Sequence, residues 1–217
     1  MPIYKVIEPA PEVAIYIWKV TETLEELSAG IQLTSHCEAR LKSMKSQLHQ
    51  RAFMSIRHLL KKAGYVDHDL CYDDFGKPHL LDGNYISITH SYNFTAIIVS
   101  KSVEVGIDIE MQRDKILRIA HKFTPLKEYH TLANEEALIR KLTIVWGAKE
   151  SLYKIYGQQG LSFLQHINVV DFDFDDYRTT ATICFRGKIS DYKVHFLEFE
   201  DFTCVYALAN KTPVPRE

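Results

Sequence analysis

Charge of one sign is missing from this sequence. Its 26 Lys and Arg stand against 28 Asp and Glu, for a formal net charge of −2 at pH 7. That balance excludes a globally basic nucleic-acid binder and gives no general attraction to a membrane surface. Cysteine is sparse too. Cys37, Cys71, Cys184 and Cys204 show no C-x-x-C spacing, and the histidines never join them at zinc-ligand intervals. They read as reduced core thiols of a cytosolic protein. Long apolar runs are absent. The start, MPIYKVIEPAPEV, lacks the core of a signal peptide, and the long uncharged stretch at Asn84 to Ser100 is broken by Asn, Ser, Thr and His. No linker or low-complexity tract occurs. The expectation is a soluble cytoplasmic protein, and at 46% hydrophobic residues the chain can bury a substantial core, as one domain or two small lobes.

What is present begins with a strand from Glu12 to Val20, where Val13, Ile15 and Ile17 alternate with other side chains. A long helix is predicted from about Ser35 to Ala63, with Leu41, Met44, Leu48, Ala52, Ile56, Leu59, Leu60 and Ala63 on its apolar stripe and Gly64 ending it. From Glu38 onward it carries Arg40, Lys42, Lys45, Arg51, Arg57, Lys61 and Lys62 against one acid. This run is either a solvated face or a local anion-attracting surface. FGKPH at 75–79 forms a turn that presents Lys77 and backbone N–H groups. YISITHS then makes a strand, Tyr92-Asn93 a turn, and Thr95 to Ser100 a second strand, with Val103 to Ile109 completing a meander. His90 either caps that hairpin or belongs to a site. Arg113 to Lys122 reads as helical, and Thr124-Pro125 as the cap of a short helix containing Glu128 and Tyr129. Asn134 and Gly157 bracket the next helix. Short alternating runs at 167–172, 180–185, 193–199 and 204–209 supply the final strands, and DFDFDD at 171–176 a hairpin turn.

Two stretches carry chemistry. In the 138–156 helix, Leu138, Leu142, Val145, Leu152 and Tyr156 form one stripe, but Lys149 occupies the step between Val145 and Leu152. A charge in a buried register must be paired, hydrated in a cleft or bound to something charged; otherwise it snorkels from the stripe's edge. Glu150 and Lys154 share the same two turns, which favours a site. In GIDIE at 106–110, Asp108 and Glu110 point one way and Ile107 and Ile109 the other. Two such carboxylates are either a solvated strand edge or the hard-oxygen half of a magnesium site.

Taken together, FGKPHL, SITHS, GIDIE, FTPLKEY, and WGAKESLYK about 36 residues after GIDIE resemble, in that order, the motifs of the 4′-phosphopantetheinyl transferase superfamily. Gly160-Leu161 fits its Gly-Leu after the lysine helix. The spacing is similar to that of its longer, monomeric class. Thr89 departs from the pattern, standing where serine is usual before the histidine, and Gly147-Ala148 replace commoner residues. The resemblance implies an α+β pseudo-dimer of two similar lobes, 1–102 and 103–217, each a small, mostly antiparallel sheet packed against a long helix. It implies transfer of the phosphopantetheine arm of coenzyme A to a serine of an acyl, peptidyl or polyketide carrier protein, with Mg²⁺ or Mn²⁺. By the same resemblance, Asp108, Glu110 and Glu150 hold the metal, and Glu150 is also the candidate base. Lys149, Lys154, Lys77, His90, Ser91 and Arg40 hold coenzyme A, and Lys149 and Lys154 also stabilise charge on the leaving group. Two other readings stay open: a magnesium-dependent phosphodiesterase or nucleotide hydrolase that uses the same carboxylates and lysines, and a non-catalytic module that binds an acidic partner through the 38–63 helix.

Overall fold

The computed structural model describes residues 3–125 and 134–210. The chain is α+β and divides into two compact units. One contains the residues up to Ser102 together with Ile107–Ile109, and the other Val103–Gly106 with Glu110 onward. The segment carrying Glu128 and Tyr129 lies outside the described residues. Among the described residues, no helix is long and apolar enough to cross a membrane.

In chain order the first unit holds β1 (Lys5–Ala10), β2 (Val13–Lys19), α1 (Leu24–Ser28), α2 (Ser35–Ser43), α3 (Gln47–Lys62), β3 (Leu70–Tyr72), β4 (Pro78–Leu80), β5 (Tyr85–Ser91) and β6 (Phe94–Ser100). A four-stranded sheet runs β1-β2-β6-β5 with every neighbour antiparallel, while β3 and β4 form a separate hairpin. β2 buries Val13, Ile15 and Ile17 as its alternation predicts. α3 packs on β2 and β6, and its Met54, Leu59 and Leu60 join Trp18, Leu27 and Ile97 in one core. Between the hydroxyls of Ser55 and Thr95 a 2.8 Å hydrogen bond ties helix to sheet.

The predicted long helix is two helices. Met44 leaves the helical region at ψ 122°, and Ser46 starts α3 by accepting the His49 N–H on its side chain. Ser43 and Ser46 offer the backbone hydroxyl partners that compete with helix continuation, and Gln50 holds the freed Met44 carbonyl at 2.9 Å. The apolar stripe survives the break, because Leu41 and Met44 still reach the core, but Leu48 is exposed.

Arg57 also leaves the expected basic surface. Its side chain is buried, with Nε 2.9 Å from Asp67 Oδ1, Nη1 donating to the Phe53 carbonyl and Nη2 to the Cys37 sulfur. Burial pushes the Asp67 carboxyl up, but the Thr34 N–H and the Arg57 charge outweigh it and hold the group below its ordinary 3.8. The stabilisation is therefore complete above that value and is lost as pH falls through the lower folded value. Asp67→Asn is expected to cost about 3–5 kcal/mol at pH 7, since the guanidinium stays buried without its counter-charge. Urea denaturation should show the gap to wild type narrowing below pH 3.8.

The second unit holds β7 (Val105–Met111), α4 (Lys115–Ile119), a 3₁₀ turn at Ala120–Lys122, α5 (Glu135–Tyr156), α6 (Phe163–His166), β8 (Ile167–Val169), β9 (Arg178–Phe185), β10 (Lys188–Phe199) and β11 (Phe202–Ala209). Its sheet runs β7-β11-β10-β9-β8. β7 does not continue a meander from β6, as the sequence suggested. It lies antiparallel to β11, in a register running from the Ala209 N–H on the Glu104 carbonyl to the Gln112 N–H on the Asp201 carbonyl. α5 begins where expected, with Asn134 accepting the Ala137 N–H, and ends at Gly157 in the left-handed region at φ 67°. Its Leu142, Val145, Ala148 and Leu152 join Val205 and Ala207 of β11 in the second core. Cys37 and Cys204 are core thiols as predicted, but Cys71 and Cys184 are exposed.

Candidate functional site

In the first unit, Arg40 of α2 and His90 at the end of β5 line one cleft of about 300 Å³, together with Met44, His49, Ala52, Phe53, Ile56, Tyr72 and Ile88. The break between α2 and α3 helps to shape it, because Arg40 and Met44 lie before the turn and His49 and Phe53 after it. The Arg40 guanidinium stands over the Tyr72 and Phe53 rings at 5.4 and 5.8 Å, and the His49 and His90 rings meet edge to face at 5.9 Å. A guanidinium, two imidazoles and two aromatic rings around one cleft suit an anion joined to a flat ring, as in a nucleotide. His49, Phe53 and Tyr72 were not anticipated from the sequence. The signal that could have found them is the spacing of Phe53 and His49, one turn apart on α3.

Lys77 sits elsewhere, on the β3–β4 hairpin. Gly76 adopts φ 82° there, which favours glycine. The Asp73 carboxylate accepts the N–H groups of Phe75 and Lys77, both at 2.9 Å, and the Asp73 carbonyl accepts that of Gly76. The backbone N–H groups expected to face a ligand are thus taken within the turn, and only the half-buried Lys77 side chain remains a candidate. Ser91 is half-buried and faces Phe94 across the β5–β6 hairpin.

Asp108 is buried, at 6% exposure, and accepts the Thr89 hydroxyl on Oδ1 at 3.1 Å. Its flanking residues Ile107 and Ile109 are buried, as the alternation requires. Glu110, two residues further along β7, is half-buried and accepts the Trp146 indole N–H at 3.3 Å. Trp146 is itself wedged between Phe123 and Phe163, with ring centroids at 5.1 and 5.4 Å. Glu110 and Trp146 also line a cavity of about 190 Å³ with Ile116, Thr143 and two cations, Arg113 and Lys115, that the sequence reading left unassigned. Glu150 and Lys154 are half-buried one helical turn apart on α5 and so share a face.

Lys149 is the most enclosed of the expected coenzyme A ligands. Only 3% exposed, its ammonium donates to the carbonyls of Phe123, Phe163 and Ile167 at 2.6, 2.7 and 2.6 Å. An ammonium has three hydrogens, and three carbonyls lie within hydrogen-bonding distance of this one. Lys149 therefore ties α5 to three neighbouring chain segments. Lys141, two turns earlier, is buried in a related way, bonded to the Phe172 carbonyl and 2.7 Å from Asp171, over the Phe172 ring.

Asp108, Glu110 and Glu150 have the hard oxygen donors that a magnesium ion takes, usually one or two carboxylates beside water and phosphate. Among the described residues, no three or more His, Cys, Asp or Glu side chains gather as a metal site by themselves. By donor chemistry alone, the oxygens of these three carboxylates suit a hard divalent cation.

The chain is thus α+β, with a cleft that suits an anionic, ring-bearing ligand and with carboxylates on a strand and a helix. Residues 104–207 match the family model of the 4′-phosphopantetheinyl transferase superfamily. That stretch contains GIDIE and WGAKESLYK and ends before the last residues of β11. No curated protein matches the chain.

Proposed function

We propose that this protein transfers the 4′-phosphopantetheine arm of coenzyme A to a serine of an acyl, peptidyl or polyketide carrier protein, releasing adenosine 3′,5′-bisphosphate. The observation that carries this reading is the family match over the stretch holding both chemical motifs. The family takes coenzyme A as substrate and carrier proteins as acceptors. The first-unit cleft adds support, since coenzyme A presents an adenine ring beside a 3′-phosphate.

In this reading the serine oxygen bonds to the phosphorus that carries the pantetheine arm, and the bond from that phosphorus to the bridging oxygen of the diphosphate breaks. The serine proton passes to Glu150, directly or through water, and the bridging oxygen leaves with the bisphosphate. A divalent cation, Mg²⁺ or Mn²⁺, would neutralise diphosphate charge and would be held by Asp108, Glu110 and Glu150. Lys154 meets the charge that grows on the leaving phosphate. Arg40 and His90 hold the 3′-phosphate, with Tyr72 and Phe53 beside the base, while Lys77 and Ser91 give further contacts. Arg40, Lys42, Lys45, Lys61 and Lys62 are exposed and offer an acidic carrier an electrostatic approach.

Mass spectrometry of apo-carriers incubated with coenzyme A and Mg²⁺ tests the reaction. The mass of the arm should appear on the carrier. Bisphosphate released without a carrier, and no arm transferred with one, would replace this reading by hydrolysis. The cleft has its own test. Arg40→Ala is expected to raise the KM for coenzyme A about tenfold with little change in kcat, the loss of one charge-assisted contact. Its preference for coenzyme A over dephospho-coenzyme A should shrink in step, and an undiminished preference would move the 3′-phosphate elsewhere.

A further inference from the structure

β5 and the middle of β7 are joined through side chains. The Ile107 N–H donates to the Ser87 hydroxyl and the Ile109 N–H to the Thr89 hydroxyl, each at 3.2 Å. Thr89 then does something that Ser87 does not: its hydroxyl donates to Asp108 Oδ1 at 3.1 Å. A hydroxyl has one hydrogen and two lone pairs. With the Ile109 amide on a lone pair, the hydrogen is directed at the carboxylate lying between the two anchored amides. Thr89 is 5% exposed, so water does not compete freely for that hydrogen. The β-branched side chain of threonine also restricts χ1, which holds the hydroxyl in one direction.

We infer that Thr89 is a positioning residue, whose hydroxyl fixes the rotamer of Asp108 and so presents its carboxylate to a divalent cation. This rests on the metal role proposed above for Asp108. Partners that orient a ligating carboxylate govern affinity as the ligand itself does, and their loss costs about 10–100-fold.

The test is titration of the full-length protein with Mn²⁺ alone, followed by the electron paramagnetic resonance signal of the free ion. Thr89→Val, nearly the same shape without the hydroxyl, should raise the Mn²⁺ Kd by about 10–100-fold. Thr89→Ser should stay close to wild type, because it restores the donor. Ser87→Ala removes the equivalent amide partner but no contact to Asp108; it should lower Tm and leave the Mn²⁺ Kd unchanged. If circular dichroism shows Thr89→Val unfolded, Thr89→Ala is read in its place. A wild-type Mn²⁺ Kd in the hydroxyl-free variant overturns the inference, and so does an equal loss in Ser87→Ala, which would mean only a loosened strand. Asp108→Asn separates the two layers. If it binds Mn²⁺ like wild type, the metal role of Asp108 fails and Thr89 falls with it. If it loses binding while Thr89→Val keeps it, only the role of Thr89 fails.

Discussion

Lys149→Ala is expected to destabilise the second unit by about 3 kcal/mol or more, while the folded fraction keeps its affinity for coenzyme A. The first half follows from what is left behind. Three carbonyls, of Phe123, Phe163 and Ile167, lose their donor at once. A buried acceptor without a partner costs about 1–3 kcal/mol, less where water can enter the space vacated. Against a typical total stability of about 5–15 kcal/mol, the loss is large. Lys149→Met is a useful companion: it refills the space with apolar atoms but supplies no donor, so it should recover only the packing part. The second half is expected because the ammonium is buried and engaged by backbone carbonyls. The protein's two tryptophans make the measurement direct. Trp18 lies in the first core and Trp146 beside the second, so a Trp18→Phe background reports urea unfolding of the second unit through Trp146. Wild-type stability with weakened coenzyme A binding would return Lys149 to the substrate.

The same residue shows what a linear reading can reach. Its place in an apolar stripe said that the charge was buried and had to be compensated, and it is. Backbone carbonyls have no sequence signature, so charged neighbours looked like the compensation. Arg57 failed in the same way: a count of basic residues cannot see that Asp67, ten positions on, has its carboxylate 2.9 Å away in the interior. Local signals fared better. Asn134 and Gly157 bracket α5 because caps act within a few residues, and β2 follows its own alternation. The α2–α3 break was missed because two apolar residues before it kept the periodicity. β1 was missed because its residues are mostly exposed or half-buried and lack a clean alternation. Placing β7 beside β11 needed a pairing about 90 residues distant, which turn chemistry near residue 102 could not announce. At the candidate site, the SITHS motif pointed to His90, and Arg40 came from its place on the basic helix before GKP. The rest of their cleft, His49, Phe53 and Tyr72, comes from the way α2, α3 and β3 converge.

Gly106→Ala is expected to be severely damaging for a single added methyl. Gly106 needs no unusual φ; the constraint is the closeness of another backbone. A Cβ there would lie 2.0 Å from the Ser151 carbonyl oxygen, 2.7 Å from its carbon and 3.1 Å from Ile155 Cγ1. Overpacking a core costs about 1–3 kcal/mol when side chains can give way. Here the obstacle is the main chain of α5, held in place by packing on β11 and by the hydrogen bond from the Ser151 hydroxyl to the Val205 carbonyl, so the upper end or beyond is expected. Removing the Ser151 side chain should give no rescue, because the clashing atoms belong to the backbone. That makes Gly106→Ala with Ser151→Gly the discriminating double variant. The chemistry should suffer alongside stability. The methyl pries β7 from α5 two residues before Asp108 and four before Glu110, and its contact point adjoins Glu150. Transfer by the surviving folded fraction should therefore fall well beyond the loss of folded protein, measured as activity normalised to the folded fraction in the Trp18→Phe background. Full specific activity in that fraction would show that the approach of β7 to α5 serves packing alone.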